Sequence, residues 1–229
     1  SNGKEGSGAL DAWYRKYAAR EMKDVRYCLG FAHDPGTFHF TKKKVVTPGD
    51  MAGLKVRPPN AVIANWMTTL GASNIQASAP EMRDVLEKGV ADAAGSPWGS
   101  MMLFGIDKVT KYHIDAAFYV SEQIWVLNKA KYDSLSPTQK KVMDDHCSNE
   151  WALKIATPWA DFEAGGRGKI KALPGHEVYA LSADQLAAWR KSSEPVVANW
   201  QDSVKKINED PTAIMDDLRR TVPERKSAY

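Results

Sequence analysis

The sequence predicts an α/β protein with a parallel sheet. Three observations support this class: a strand pattern at 54–57 precedes a helix pattern at 60–70, a second strand–helix pair follows at 74–76 and 78–89, and a small-residue strand at 90–94 ends the run. Strands that alternate with helices through short links form parallel sheets through right-handed crossovers. Hydrophobic residues make up 43% and charged residues 26% of the 229 residues, which excludes a disordered chain.

The first elements are predicted from composition and periodicity. Residues 1–8 are polar and glycine-rich, and we expect a tag or linker there, with no basic-then-apolar signal segment. Residues 9–22 carry apolar side chains at helical spacing, and 25–31 predict a strand. In the segment that follows, Asn60 is a good helix N-cap after two prolines, and Gly71 occupies the usual position after a helix end.

The second half predicts sheet followed by helices. Residues 114–127 are aromatic and β-branched, which indicates strand. A capping box at 136–139 predicts a helix that continues to residue 159, with a bend at Pro158. A further cap at 182–185 predicts a final amphipathic helix that reaches residue 200.

No motif indicates catalysis or a cofactor. The five histidines never form a zinc-binding spacing, the glycines at 165–168 do not satisfy the phosphate-loop pattern, and no nucleophile motif surrounds Ser96. We therefore predict no catalytic residues, no metal and no cofactor. A net charge of +3 does not support nucleic-acid binding, and no apolar stretch is long enough to cross a bilayer. Cys28 and Cys147 are either two buried apolar residues or a single disulfide.

Arg57 is the strongest candidate for ligand binding on physical grounds. It ends a predicted strand just before a helix N-terminus, and ligands of open α/β sheets bind beyond the carboxyl ends of the strands. The arginine fork pairs bidentately with a carboxylate, and the helix N-terminus near Asn60 favours the same anion. An unremarkable surface arginine is the alternative.

The same segment resembles a known family. Residues 50–59 read DMAGLKVRPP, which is similar to the signature D-[LM]-x-G-[LM]-K-[ILV]-R-x-P of the solute-binding proteins of TRAP transporters (tripartite ATP-independent periplasmic, dicarboxylate-transport type). Residues 70–72, 80–86 and 89–93 resemble the next family motifs in order, and the similarity covers about residues 10–205. The family is longer on the N-terminal side, so the resemblance implies an N-terminally truncated member.

The resemblance implies a fold and a function. The fold is a periplasmic-binding-protein-like two-lobe α/β fold with an incomplete N-terminal lobe. The function is capture of a small organic acid carboxylate in the periplasm for a membrane permease, after removal of a signal peptide. Arg57 would meet the carboxylate, and Asn60 and Ser96 occupy two further ligand positions of the family. Ser96 replaces a family asparagine, and a second family arginine is missing near Thr37.

These departures favour an apolar or aromatic monocarboxylate, with Phe38 and Trp98 in the site and Phe118 and Tyr119 near it. The resemblance divides the chain into 1–8 (tag or linker), 9–36 (remnant of the N-terminal lobe and hinge), 37–127 (ligand-binding lobe) and 128–229 (long helix and C-terminal helices). Two other functions stay open: a sensory or scaffold module of the same fold, and an enzyme acting on a small acid. A truncated chain is expected to bind acids poorly and to self-associate through its uncovered apolar surface.

Overall fold

The structure is a computed structural model that describes residues 3–224. The described residues fall into two compact units. Unit 1 draws on the ranges Ser1–Asp34, Val120–Phe162 and Thr212–Tyr229, and unit 2 on Pro35–Tyr119 and Glu163–Pro211. The predicted ligand-binding lobe therefore extends too far, because residues 120–127 belong to unit 1, and the predicted C-terminal part 128–229 contributes to both units.

The elements within the described residues are numbered in chain order. The helices are α1 (Gly3–Glu21), α2 (Ala61–Thr69), α3 (Met82–Glu87), α4 (Trp98–Leu103), α5 (Lys129–Asp133), α6 (Pro137–His146), α7 (Asn149–Ala172), α8 (Ala183–Ser192), α9 (Glu194–Lys206) and α10 (Pro211–Glu224). The strands are β1 (Val25–Ala32), β2 (Thr37–Phe40), β3 (Lys55–Arg57), β4 (Ser73–Asn74), β5 (Ala93–Ser96), β6 (Tyr112–Ile114), β7 (Glu122–Asn128) and β8 (Glu177–Tyr179).

Unit 2 is built on a mixed sheet with the strand order β4-β3-β5-β2-β6-β8. The parallel pairs β3–β4 and β3–β5 confirm the crossovers predicted from the strand–helix alternation. Strand β2 runs antiparallel to both of its neighbours, β5 and β6. The carboxyl ends of β3 and β5 consequently lie at one edge of the sheet, which is where the predicted ligand residues Arg57 and Ser96 stand.

The sheet of unit 2 has a buried core on each face, because successive side chains of a strand point to opposite sides. On the first face, Phe38 and Val56 pack with Trp66 of α2 and Trp189 of α8. On the second face, Ala94 packs in a cluster with residues of α3 and α4. Unit 2 is therefore a three-layer structure of the predicted α/β class, although its sheet is mixed where a parallel one was predicted.

Unit 1 contains a two-stranded antiparallel sheet, β1 with β7. Helix α1 packs on β1 and supplies the fully buried Asp11 carboxylate, which accepts hydrogen bonds from Arg15, Tyr27, Asn149 and the Gly30 amide at 2.7–3.1 Å. A disulfide joins Cys28 of β1 to Cys147, which follows α6. Of the two alternatives that the sequence left open for the cysteines, the structure has the disulfide.

The expected tag or linker at 1–8 is wrong for its described residues, because α1 begins at Gly3. Ser7 is buried, and its hydroxyl accepts a hydrogen bond from the Ala32 amide at 2.8 Å. A side chain at Gly8 would stand 3.1 Å from the Leu153 side chain, so a glycine allows close packing there. Tertiary contacts of this kind outweigh the low helix propensity of glycine.

Three predicted elements are each divided in the structure. The strand predicted at 114–127 is two strands, β6 in unit 2 and β7 in unit 1. The helix predicted to reach residue 159 ends at His146, where Cys147 is the C-cap and enters the disulfide, and α7 begins at Asn149. The helix predicted to reach residue 200 is α8 followed by α9. Apolar spacing alone does not reveal such breaks, because it continues across them.

Most capping predictions are confirmed, but the helix predicted from residue 78 begins only at Met82, with Glu81 as an N-cap that makes no side-chain cap. The Asn60 side chain accepts a hydrogen bond from the Ile63 amide at 2.9 Å, and Gly71 follows the end of α2 with a φ of +79°. Ser136 and Ser182 each begin a helix through a complete capping box. No helix in the described part of the chain combines the length and apolar character needed to span a membrane.

Candidate functional site

The candidate site lies on the second face of the unit 2 sheet, where β3 and β5 end. Arg57 is the last residue of β3 and lies opposite Ala94 of β5, whose side chain is in the core of the second face. Ser96 follows Ala94 by two residues and therefore points to the same side of the sheet. Arg57 and Ser96 thus share one face and one edge, as the sequence predicts for ligand residues of this fold.

Arg57 is a buried cation for which the described side chains supply no acidic partner. Its side chain is only 9% exposed, and its Nε atom donates to the Ala77 carbonyl at 2.9 Å. Among the described residues, no carboxylate pairs with it and no acceptor contacts its terminal nitrogens. Burial lowers the pKa of the guanidinium, because the charged form is disfavoured away from water.

Tyr119 interacts electrostatically with Arg57, although it packs in the core of the first face. Its hydroxyl is buried, and burial raises its pKa, whereas the positive charge of Arg57 acts to lower it. The tyrosine ring stacks against Gly36 so closely that a Cβ there would lie 2.1 Å from the ring carbon Cζ. Gly36 therefore has a packing role, since it allows the ring to occupy this position.

Asn60 and Ser96 are both committed to the backbone. Asn60 caps α2 through the hydrogen bond from Ile63. The Ser96 hydroxyl donates to the Pro97 carbonyl at 3.1 Å, and that of Thr37, which pairs with Ser96 across the strands, donates to the Ile114 carbonyl at 2.6 Å. The hydroxyl donors at this edge of the sheet are therefore used internally.

Phe38 and Trp98 do not come together as expected. The Phe38 ring is fully buried in the core of the first face, with its centroid 5.2 Å from that of Phe118 and 6.3 Å from that of Trp66. Trp98 is half-buried on the second face, edge-on to His39 at 5.2 Å. The structure thus places Trp98 on the face that carries Arg57 and Phe38 on the opposite one.

Glu163 of α7 is a residue of this region that sequence reasoning did not identify. Its buried carboxylate accepts hydrogen bonds from the Gly99 amide at 2.6 Å and the Ser100 amide at 3.0 Å, and also from the Ser100 hydroxyl. The first amides of α4 are therefore occupied and cannot receive a ligand carboxylate. The sequence signal for this contact was Gly166, because a glycine within a helix often marks a close approach of another backbone. A Cβ at Gly166 would lie 2.3 Å from the Gly99 nitrogen.

Replacing Glu163 by alanine should destabilise unit 2 by about 3 kcal/mol, because two buried amides lose their acceptor. Glu163→Gln should cost less than half as much, since the glutamine oxygen can still accept from both amides and its NH₂ group can donate to the Ser100 hydroxyl. Urea denaturation of the two variants measures both values. Equal losses in the two variants would show that the carboxylate charge, not the hydrogen-bond geometry, stabilises the start of α4.

The chemistry of the site is that of an anion receptor. A guanidinium with two unoccupied terminal nitrogens can hold a carboxylate bidentately. No group of three or more histidine, cysteine, aspartate or glutamate side chains in the described part of the chain is arranged to hold a metal ion.

This fold is that of a solute-binding protein. Residues 6–203 match the family described as bacterial extracellular solute-binding protein, family 7 (DctP), and the chain belongs to this family. The resemblance to the solute-binding proteins of TRAP transporters, inferred from residues 50–59, is thereby confirmed.

Solved structures show the same fold. A TRAP solute-binding protein from a marine metagenome, specific for aromatic acid ligands and bound to metahydroxyphenylacetate, is 28% identical, with a TM-score of 0.86 over 98% of this chain and 72% of that one. One from Bordetella bronchiseptica, with bound (R)- and (S)-mandelate, is 25% identical, with a TM-score of 0.88 over 97% and 72% of the two chains. One from Rhodoferax ferrireducens, with copurified benzoate, is 24% identical. Its TM-score is 0.88, and the match covers 98% of this chain and 71% of that one.

Proposed function

We propose that this protein captures a small organic acid in the periplasm, by its carboxylate, for a TRAP-type membrane permease. The observation that carries the proposal is Arg57, a cation that is nine-tenths buried and has no acidic partner among the side chains of residues 3–222. An isolated charge is costly to bury, and proteins normally pair it. A ligand carboxylate supplies the missing charge.

The strength of this pairing follows from burial. An exposed ion pair contributes only about 0–1 kcal/mol, whereas cutting one partner of a buried, hydrogen-bonded pair costs about 2–5 kcal/mol. Arg57 belongs to the second class because water has little access to it. Its Nε atom is fixed by Ala77, so the fork is already oriented before a ligand arrives.

We infer that the ligand is an apolar or aromatic monocarboxylate. A second carboxylate would need its own donors, but the hydroxyls of Ser96 and Thr37 already donate to backbone carbonyls. Trp98 offers aromatic surface on the Arg57 side. The 28% identical marine protein and the 25% identical Bordetella protein, which bind aromatic acids, support the same class.

The disulfide supports a periplasmic location. Disulfides persist in oxidising compartments such as the bacterial periplasm and are rare in the cytosol. The Cys28–Cys147 bond and the extracellular description of the family agree on this point. We also propose that the protein releases its ligand chemically unchanged, because the family consists of solute-binding proteins.

The ligand class can be tested with four small molecules. Benzoate should bind at least about tenfold more tightly than succinate, because the second carboxylate of succinate would stay unpaired in the site. Methyl benzoate, which lacks the charge, and acetate, which lacks the ring, should both bind more weakly than benzoate. Chemical-shift titration by NMR measures all four, including weak affinities. If succinate binds more tightly than benzoate, the preference for a monocarboxylate is wrong. If methyl benzoate binds as tightly as benzoate, the carboxylate does not determine binding.

A further inference from the structure

Three histidines in unit 2 are connected in a row, although they are far apart in the sequence. The Nε2 atom of His39 lies 3.0 Å from the Ser96 carbonyl oxygen, and its Nδ1 atom lies 3.0 Å from Nδ1 of His113. The Nε2 atom of His113 in turn lies 2.9 Å from Nδ1 of His176. His39 and His113 are fully buried, whereas His176 is half-buried.

The Ser96 carbonyl fixes the protons of all three neutral rings. A carbonyl oxygen only accepts, so His39 must carry its proton on Nε2, and its Nδ1 atom is left as an acceptor. His113 must then donate from Nδ1, which leaves its own Nε2 atom as the acceptor for the Nδ1–H of His176. Among the three rings, only Nε2 of His176 has a lone pair that no other histidine engages.

The free energy needed to add a proton differs between the two ends of this row of histidines. Protonation of His176 at Nε2 leaves every hydrogen bond in place. Protonation of His39 or His113 keeps the hydrogen bonds only if the rings beyond it change tautomer, and it places a positive charge on a fully buried ring. A buried charge without a paired acid is costly. We propose that His39, His113 and His176 form one directional chain that holds the end of β5 in place only while its two buried rings are neutral, so that unit 2 loosens in acid.

The surroundings of the chain support this assignment. Burial lowers the pKa of His39 to about 4 and, together with the two neighbouring histidines, that of His113 to about 2. The edge of the Trp98 ring covers His39 and lies 6.1 Å from His113, between centroids. Within the described residues, the charged group that acts on the chain is Asp107, which faces His176 and opposes the lowering of its pKa by burial.

The direction of the pH effect follows from linkage. The folded pKa values of His39 and His113 lie below the ordinary value of about 6.5, so the unfolded chain takes up their protons first as the pH falls. Their contribution to stability is complete above pH about 6.5 and is lost as the pH falls toward 4. Between pH 7.5 and 5.0 each ring should increase the unfolding constant about thirtyfold.

The proton positions can be observed directly in the wild-type protein. Long-range ¹⁵N–¹H correlation spectra at pH 7.5 distinguish an N–H nitrogen from one with a lone pair. We expect the Nε2–H form for His39 and the Nδ1–H form for His113 and His176. An Nε2–H form of His113 would overturn the directional chain, and this readout needs no variant and no ligand.

The pH effect needs a local measurement and a matched control. Hydrogen exchange of the β2, β5 and β6 amides, followed from pH 7.5 to 5.0 after correction for intrinsic rates, should show the predicted loss of protection. In the double variant His39→Gln, His113→Asn, the residue at position 39 can still donate to the Ser96 carbonyl, and the residue at position 113 can still donate to position 39. Neither side chain titrates. The loss of protection in this variant should therefore be at least thirtyfold smaller than in the wild type. His146→Asn, which removes a histidine of unit 1, should behave as the wild type. A wild-type profile that stays flat would overturn the proposal even if the double variant does not fold.

Discussion

Replacing Arg57 by methionine is expected to weaken benzoate binding by about thirtyfold or more, equivalent to about 2 kcal/mol, and at the same time to leave the protein as stable or more stable. Binding falls because the ligand carboxylate loses its only charged partner in a site where water does not replace it. Stability does not fall because the substitution removes a buried cation that lacks an acidic partner among the side chains of residues 3–222. The opposite signs separate a binding role from general damage.

The experiment combines ligand titration with urea denaturation in the absence of ligand. Arg57→Lys should recover only part of the affinity, since lysine keeps the charge but not the planar fork. Arg219→Met is the matched control, because it removes an exposed arginine of α10 and should leave both quantities unchanged. Unchanged benzoate affinity in Arg57→Met, or a loss of stability comparable to that of a core deletion, would contradict the assignment.

Reduction of the Cys28–Cys147 disulfide should lower the free energy of unfolding by about 2–5 kcal/mol. The two cysteines are 119 residues apart, so the bond closes a long loop and restricts the unfolded chain strongly. The expected loss is large relative to the 5–15 kcal/mol that typical domains possess.

Denaturant unfolding with and without a reducing agent measures this loss without changing any side chain. The Cys28→Ala, Cys147→Ala variant should show the same loss and no response to the reductant. Hydrogen exchange should report the weakening in β1 and β7, since both cysteines belong to unit 1. A reduced protein with the same unfolding midpoint as the oxidised one would show that the bond is not stabilising.

Local signals in the sequence were sufficient for much of unit 2. The alternation of strands and helices from residue 54 onward predicted the parallel pairing of β3 with β4 and β5, and Asn60 and Gly71 marked both ends of α2. These predictions succeeded because caps, turns and strand periodicity depend on neighbouring residues. Arg57 was placed at the correct strand end for the same reason, whereas Ser96 was identified only through the family resemblance. The role of both residues in ligand binding stays a prediction.

Long-range contacts decided what the sequence could not. The α1 helix begins within a glycine-rich segment because Ser7 and Gly8 are packed by residues far along the chain. The apolar run at 114–127 divides between two sheets, and no local pattern distinguishes one buried strand from two. Phe38 was expected beside Trp98, but the alternation along β2 directs Phe38 to the first face, whereas Trp98 of α4 packs on the second.

By itself, the sequence determined the α/β class, the family signature around Arg57 and the helix caps, all of which are carried by residues within a few positions of one another. Only the tertiary structure decided which side chains meet: the Cys28–Cys147 bond, the Glu163 carboxylate at the start of α4, and the chain of His39 with its two partners. Such contacts join residues 63 to 119 positions apart. Their energy depends on burial and on exact geometry across the sheet, and neither is encoded in local spacing.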